Sequence, residues 1–164
     1  MKRLKAFKYR MYPNVSQQVS LAKTFGCVRY FRNHLISIFN SEGSNKKEFP
    51  TSTNFRKTED WLQEVSASAL QQKEMDFKEF KKQFFNEKRK SKVGRPKFKK
   101  KTGKQSYRLP NQKFKILKEE SKIKLEKISK IKIIQDRIIP DDAKILSVTI
   151  SLEPSGEYYA SILT

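Results

Sequence analysis

Residues 6–13, AFKYRMYP, put Phe7, Tyr9 and Met11 on one side and Lys8 and Arg10 on the other, the period-2 pattern of a half-buried strand that Pro13 ends. A solitary strand is not stable in water. The next alternating segments lie beyond residue 110, with helical periodicity between. Leu146, Val148, Ile150 and Leu152 alternate with Ser147, Thr149 and Ser151, and EPSG supplies a turn before EYYASILT. The first strand therefore has to pair across the helical segment with C-terminal strands, which makes the helices an insertion in an antiparallel β unit. The expected class is α+β: a small antiparallel β-barrel with an inserted helical bundle.

The inserted part has its own signals. Asn14 is an N-cap candidate with Gln17 as its reciprocal partner, and Leu21, Phe25, Val28, Phe31, Leu35 and Ile38 follow at three- and four-residue steps. This predicts an amphipathic helix of about twenty-five residues. Gly43 and Pro50 break the pattern, and Trp61, Leu62 and Val65 mark a short apolar turn. Ser66 is placed to cap a second long helix running to about Lys90, with Leu70, Phe77, Phe80 and Phe84 on one face. Gly94 and Pro96 stop it. Between residues 114 and 140, Ile123, Leu125, Ile131 and Ile133 suit strands, while Ile116, Ile123, Ile128 and Ile131 just fit a helix; the abundance of β-branched residues favours short strands.

Charge narrows the partners. Thirty-seven lysines and arginines against 17 acidic residues leave a formal charge of +20 on 164 residues, a surface that concentrates polyanions. Neither a run of about 18 apolar residues nor the apolar core of a signal peptide is present, so the chain reads as soluble and cytoplasmic, with no membrane partner. Cys27 is the only cysteine and His34 the only histidine, which excludes an internal disulfide and a Cys/His zinc site. Cys27 lies on the apolar stripe and reads as a small buried hydrophobe. The acidic pairs Glu59/Asp60, Glu119/Glu120 and Asp141/Asp142 are adjacent in sequence, therefore splayed, and suit helix ends and turns better than a metal centre. No phosphate-binding glycine loop occurs. The expected catalytic residues, metals and cofactors are none.

From Lys90 to Pro110 the chain reads KSKVGRPKFKKKTGKQSYRLP, nine basic residues in 21 and no acid. Three readings compete: a mobile basic loop, an arginine hook entering a narrow minor groove, and an ordered crossing laid along nucleic acid. Phe98, Tyr107 and Leu109 are spaced as if to pin the segment to a core, and the ordered crossing is favoured. Arg89, Lys90, Lys92, Arg95, Lys97, Lys99, Lys100, Lys101 and Lys104 would then neutralise phosphates, and the block extends to Arg108. Base reading is assigned to Gln71 and Gln72 on the polar face of the second helix, against the alternative of a solvated face, because a glutamine amide pairs bidentately with adenine. Tyr9, Tyr12 and Tyr107 have two readings each, stacking on unpaired bases or packing at the barrel.

Four stretches carry a family resemblance: KAFKYRMYPN with LAKTFGCVRYFRNHLI, where Gly26, Arg29 and Asn33 stand at familiar places; WLQEVSASALQQ with FKEFKKQFF; KVGRPKFKKKTGKQSYR; and ILSVTISLEPSGEYYASILT. Together they resemble the N-terminal half of the TnpB/OrfB family of transposon-encoded RNA-guided nucleases. The resemblance implies an oligonucleotide-binding-like wedge barrel from residues 1–13 and 106–164, a helical recognition domain over 14–92 and a basic crossing over 93–105. It implies a structured guide RNA and duplex DNA as partners, with Arg29 and Gln71 among the contacts. Cutting would belong to a RuvC-like nuclease domain expected to begin where this chain stops, at Thr164; the expectation is a chain without that domain and not itself an enzyme, either a truncated or decayed transposon product or half of a split protein whose nuclease is encoded separately. The sequence departs from the family at Arg95, where an aromatic is usual, and at LEKIS, where Glu126 and Ser129 replace proline and glycine. The rival readings are a helix-turn-helix DNA-binding regulator, which the long Gly43- and Pro50-broken connection fits poorly, and a subunit of a split RNA-guided nuclease.

Overall fold

A computed structural model describes residues 2–41, 48–86 and 94–164. The first strand, β1 (Ala6–Tyr12), leads into α1 (Val15–Phe39), then α2 (Ser52–Arg56), a 3-10 turn over Asp60–Glu64, and α3 (Ala67–Phe84). The strands β2 (Gln105–Pro110), β3 (Phe114–Leu117), β4 (Lys122–Leu125), β5 (Ile128–Ile134), β6 (Ser147–Leu152) and β7 (Tyr158–Leu163) follow. All seven strands share one antiparallel sheet in the order β2-β6-β7-β1-β5-β4-β3. β1 is its middle strand. It pairs with β7 from Ala6↔Leu163 to Met11↔Tyr158 and with β5 at Arg10↔Ile134, Met11↔Ile133 and Tyr12↔Lys132. The chain is thus α+β, with a curled half-barrel sheet and a helical part. Among the described residues β2 and β3 each pair on one side only, so the expected β-barrel is realised as an open, curled half-barrel.

The alternating segments turn the face their pattern marks to the core, fully in β1 and at Val148 and Ile150 of β6, while Leu146 just before β6 stays exposed. Phe7, Tyr9 and Met11 of β1 are at most 2% exposed and pack with Ile131, Ile133, Ile150 and Ile162. The residues between 114 and 134 form β3, β4 and β5, as β-branching favours. The β6–β7 turn needs its glycine: Gly156 has φ +93° and donates its N–H to the Glu153 carbonyl at 2.9 Å.

The capping box at α1 is complete: Gln17 N–H donates to Asn14 Oδ1 at 2.8 Å and Asn14 N–H to Gln17 Oε1 at 2.9 Å. Gln17 also ties α1 to the sheet, its Nε2 donating to Ser129 Oγ at 3.0 Å and the Lys130 carbonyl at 2.7 Å. Ser66 precedes α3 but does not cap it. Its hydroxyl donates instead to Glu126 Oε1 at 2.9 Å, and Glu126 also pairs with Lys113. Both residues at which LEKIS departs from the resembled turn are thus among those that hold the helical part to the β4–β5 hairpin, with Lys130 and with Lys127, whose Nζ donates to the Gln63 carbonyl at 2.8 Å. α3 ends at Phe84, and the predicted extension toward Lys90 runs into residues 87–93, outside those described. Phe39 at the end of α1 meets Phe77, Phe80 and Phe84 of α3 at centroid distances of 6.0, 5.5 and 5.0 Å, all edge-to-face. Cys27 is buried as expected, and burial pushes its thiol up to about 11.

Glu74 fastens α2 to α3. It accepts the Ser52 N–H at the α2 N-terminus at 2.5 Å and pairs with Lys78 at 3.0 Å. Burial pushes its carboxyl up, but these partners outweigh it and hold the pKa below the ordinary value. A depressed carboxyl contributes stability above its unfolded pKa and loses it as pH falls through the folded one. Glu74→Gln is expected to cost about 1–2 kcal/mol at pH 7. Urea unfolding of both proteins should show the difference shrinking as pH drops below the ordinary glutamate range.

Candidate nucleic-acid interface

The polar face of α1 carries Arg29, Arg32 and Asn33, and Asn40, which caps its C-terminus, follows on the same side. All but Arg29 reach the backbone of residues 94–104 directly. Asn33 makes a two-point clasp with Lys99, its Nδ2 donating to the carbonyl at 3.1 Å and its Oδ1 accepting the N–H at 2.8 Å. Arg32 Nη1 donates to the Lys97 carbonyl at 3.1 Å, and Asn40 Nδ2 to that of Pro96 at 3.4 Å. At the other end Gln105, only 5% exposed, donates from Nε2 to the carbonyls of Lys100, Lys101 and Gly103 at 2.8, 3.2 and 3.1 Å. Arg29 Nη1 holds Gln105 in turn, donating to its Oε1 at 3.0 Å.

Residues 94–104 are therefore an ordered crossing, fastened by side-chain amides and guanidinia to main-chain oxygens. Of the three residues spaced as a pin, Tyr107 and Leu109 do enter the core just past the crossing, at 2% and 0% exposure, while Phe98 is 59% exposed and contributes nothing. With the backbone held inward, Arg95, Lys97, Lys100, Lys101 and Lys104 stand exposed, and Lys99 is half-buried. Arg95 lies 6.0 Å from the Phe84 ring, and Lys104 pairs with Glu153 at 3.4 Å. Arg89, Lys90 and Lys92 lie outside the described residues.

Several expected contacts are placed elsewhere. Tyr107 alternates with Arg108 along β2 and faces inward, 2% exposed and 5.5 Å from Phe25 in an edge-to-face pair; burial pushes its phenol well up. It belongs to the core, not to a stacking surface. Tyr9 is 1% exposed and its hydroxyl donates to the Arg137 carbonyl, whereas Tyr12 remains half exposed. Arg108 is turned onto α3, with Nε donating to Gln72 Oε1 at 3.1 Å and Nη2 to Asp76 Oδ1 at 2.6 Å. That interaction occupies both Arg108 and Gln72 within the protein. Gln71 is exposed, and among the described residues it has no hydrogen-bond partner. Arg29 works through Gln105 as a positioning group. Arg32, Asn33, Asn40 and Gln105 escaped sequence reasoning; the polar stripe on α1 was the available signal for the first three.

The acidic pairs sit at turns and helix ends, with Glu120 paired to Lys130 and Asp141 to Lys118. Among the described residues no three His, Cys, Asp or Glu side chains gather as a metal site, and no helix is long and apolar enough to cross a membrane.

A family model described as a helix-turn-helix domain, that of OrfB from IS605, matches residues 1–42. The Escherichia coli K12 protein named "Putative RNA-guided DNA endonuclease InsQ" is 28% identical over 177 aligned residues, which cover 100% of this chain and 41% of that protein. The chain is similar throughout to the N-terminal part of a TnpB/OrfB-family protein. The chain spans well under half the length of this TnpB/OrfB relative. Within residues 1–42 the described elements are one strand and one continuous helix, β1 and α1.

The two adjacent glutamines of α3 should separate by what they cost. Gln72→Ala removes an acceptor from Arg108 and is expected to destabilise the fold by about 1 kcal/mol. Gln71→Ala should stay within about 0.5 kcal/mol of the parent. Denaturant unfolding of the two variants checks this directly.

Proposed function

We propose that this chain binds nucleic acid as the guide- and target-gripping part of a TnpB-like protein, and that cleavage is not performed by the residues of this chain. The observation that carries the reading is the ordered crossing: a backbone held against α1 with lysines facing outward is a preformed track for phosphates. Preformation matters because the side chains do not have to be ordered together with their backbone on binding. The partners proposed are a structured RNA, gripped through the scaffold of a guide, and duplex DNA beside a target. Gln71, exposed and without a protein partner among the described residues, is the residue for reading a base edge; Gln72 is taken up by Arg108. Tyr12, exposed at the end of β1, is the remaining tyrosine of the three for stacking on an unpaired base.

Two experiments test the reading. The chain is purified from its native cell at moderate salt, and the RNA and DNA retained are sequenced. One dominant structured RNA, held above the salt that strips random nucleic acid, supports it. A length-smeared mixture that washes away would leave a basic surface with no guide-gripping role. Replacing Lys97, Lys99, Lys100, Lys101 and Lys104 together with Gln should weaken binding to every polyanion. It should also flatten the slope of log K against log salt by about 0.9 for each duplex phosphate that is no longer neutralised. Unchanged affinity and slope would contradict the crossing as the track.

A further inference from the structure

Between α1, α3 and the crossing lies a cavity of about 200 Å³, lined by Arg32, Lys73, Asp76, Phe77, Phe80 and Pro96. Its charge is lopsided. Arg32 enters from α1 and Lys73 from α3, with Lys99 of the crossing and Arg108 of β2 near enough to act on Lys73 or be acted on by it. The one carboxylate in the lining, Asp76, is already bound to Arg108 at 2.6 Å. Among the described residues Lys73 makes no hydrogen bond or ion pair within 4.0 Å. Burial and the neighbouring positive charges lower the pKa of Lys73 against the pull of Asp76, and burial with Lys73, Arg32, Lys104 and Arg29 lowers that of Lys99. Cations that repel one another in a half-buried space are stabilised by an anion of matching charge.

We propose that Arg32 and Lys73 form the seat of a single phosphate group at this cavity, supplied by a nucleic-acid backbone that has followed the crossing onto α3. The volume equals that of about six or seven water molecules in the liquid, room for a phosphate with part of its hydration. The seat lies on the helix that carries Gln71, so a phosphate held there fixes the register of the strand whose base Gln71 would read. Arg32 has a double role, holding the crossing by Nη1 while lending its charge to the cavity. The proposal rests on the nucleic-acid reading for the source of the phosphate but not for the seat itself.

The test compares Lys73→Gln with Lys82→Gln, an equal loss of charge nine residues on along α3, on the opposite side of that helix. Thermal unfolding is measured in inorganic phosphate and in chloride at matched ionic strength. The parent and Lys82→Gln should share a stabilisation by phosphate that Lys73→Gln largely loses and Lys73→Arg largely recovers. Binding to a short duplex should weaken several-fold in Lys73→Gln, with a salt slope shallower by about 0.9, the equivalent of one phosphate, beyond the change in Lys82→Gln. Equal stabilisation of both glutamine variants by phosphate would overturn the seat. Selective loss in phosphate with no selective change on the duplex would keep the seat and overturn a backbone as its source. A parent that binds no nucleic acid yet responds selectively to phosphate would overturn the functional reading alone.

Discussion

The pairing of β1 with both β5 and β7 is the interaction on which the rest of the structure depends. Without it the sheet divides into β2-β6-β7 and β5-β4-β3, and the helices have no continuous surface to cover. The ladder reaches past the strand ends, where Lys5 and Thr164 exchange both backbone hydrogen bonds at 3.0 and 2.8 Å. Closing a loop this long costs conformational entropy that grows only slowly with length, while burying Phe7, Tyr9 and Met11 against both halves of the sheet returns a large apolar contribution. The helical segment is consequently held at both its ends by one sheet.

From that frame the functional surface is built in two steps. Gln17 fixes the start of α1 to β5, and the polar stripe farther along α1 then fixes the crossing. The cations are presented by a backbone several of whose oxygens are occupied by protein donors, which leaves Lys97, Lys100 and Lys101 exposed, while Lys104 pairs with Glu153 and Arg95 lies near the Phe84 ring. Arg108 shows the alternative: an arginine with a carboxylate and an amide in reach is absorbed by the fold.

What was legible in the sequence is what depends on local periodicity. α1, its capping box, the closing hairpin and the short strands β3 to β5 all follow from which residues recur on one face. Tyr107 was legible in the same way, since it shares a face of β2 with Leu109, and of its two readings the structure takes packing. The Asn33–Lys99 clasp and the Arg108–Asp76 pair join residues far apart in sequence, and no local pattern announces a partner that only the folded sheet brings near. The same holds for Lys73, which reads as one more solvated lysine until α1 and the crossing close over it. Glu126 and Ser129, which looked like departures from a family turn, are anchors for Ser66 and Gln17.

The central claim is that the crossing binds as a held track and not as loose charge, and Asn33→Ala addresses it most directly because it removes the clasp without removing a cation. The measurement is the affinity of this variant and its parent for one short duplex across a salt series. The account predicts weaker binding at moderate salt and a shallower slope in the variant, with the lysines of the crossing unchanged. Identical affinity and slope would show that the positive charge alone suffices, and the ordered crossing would lose its functional meaning.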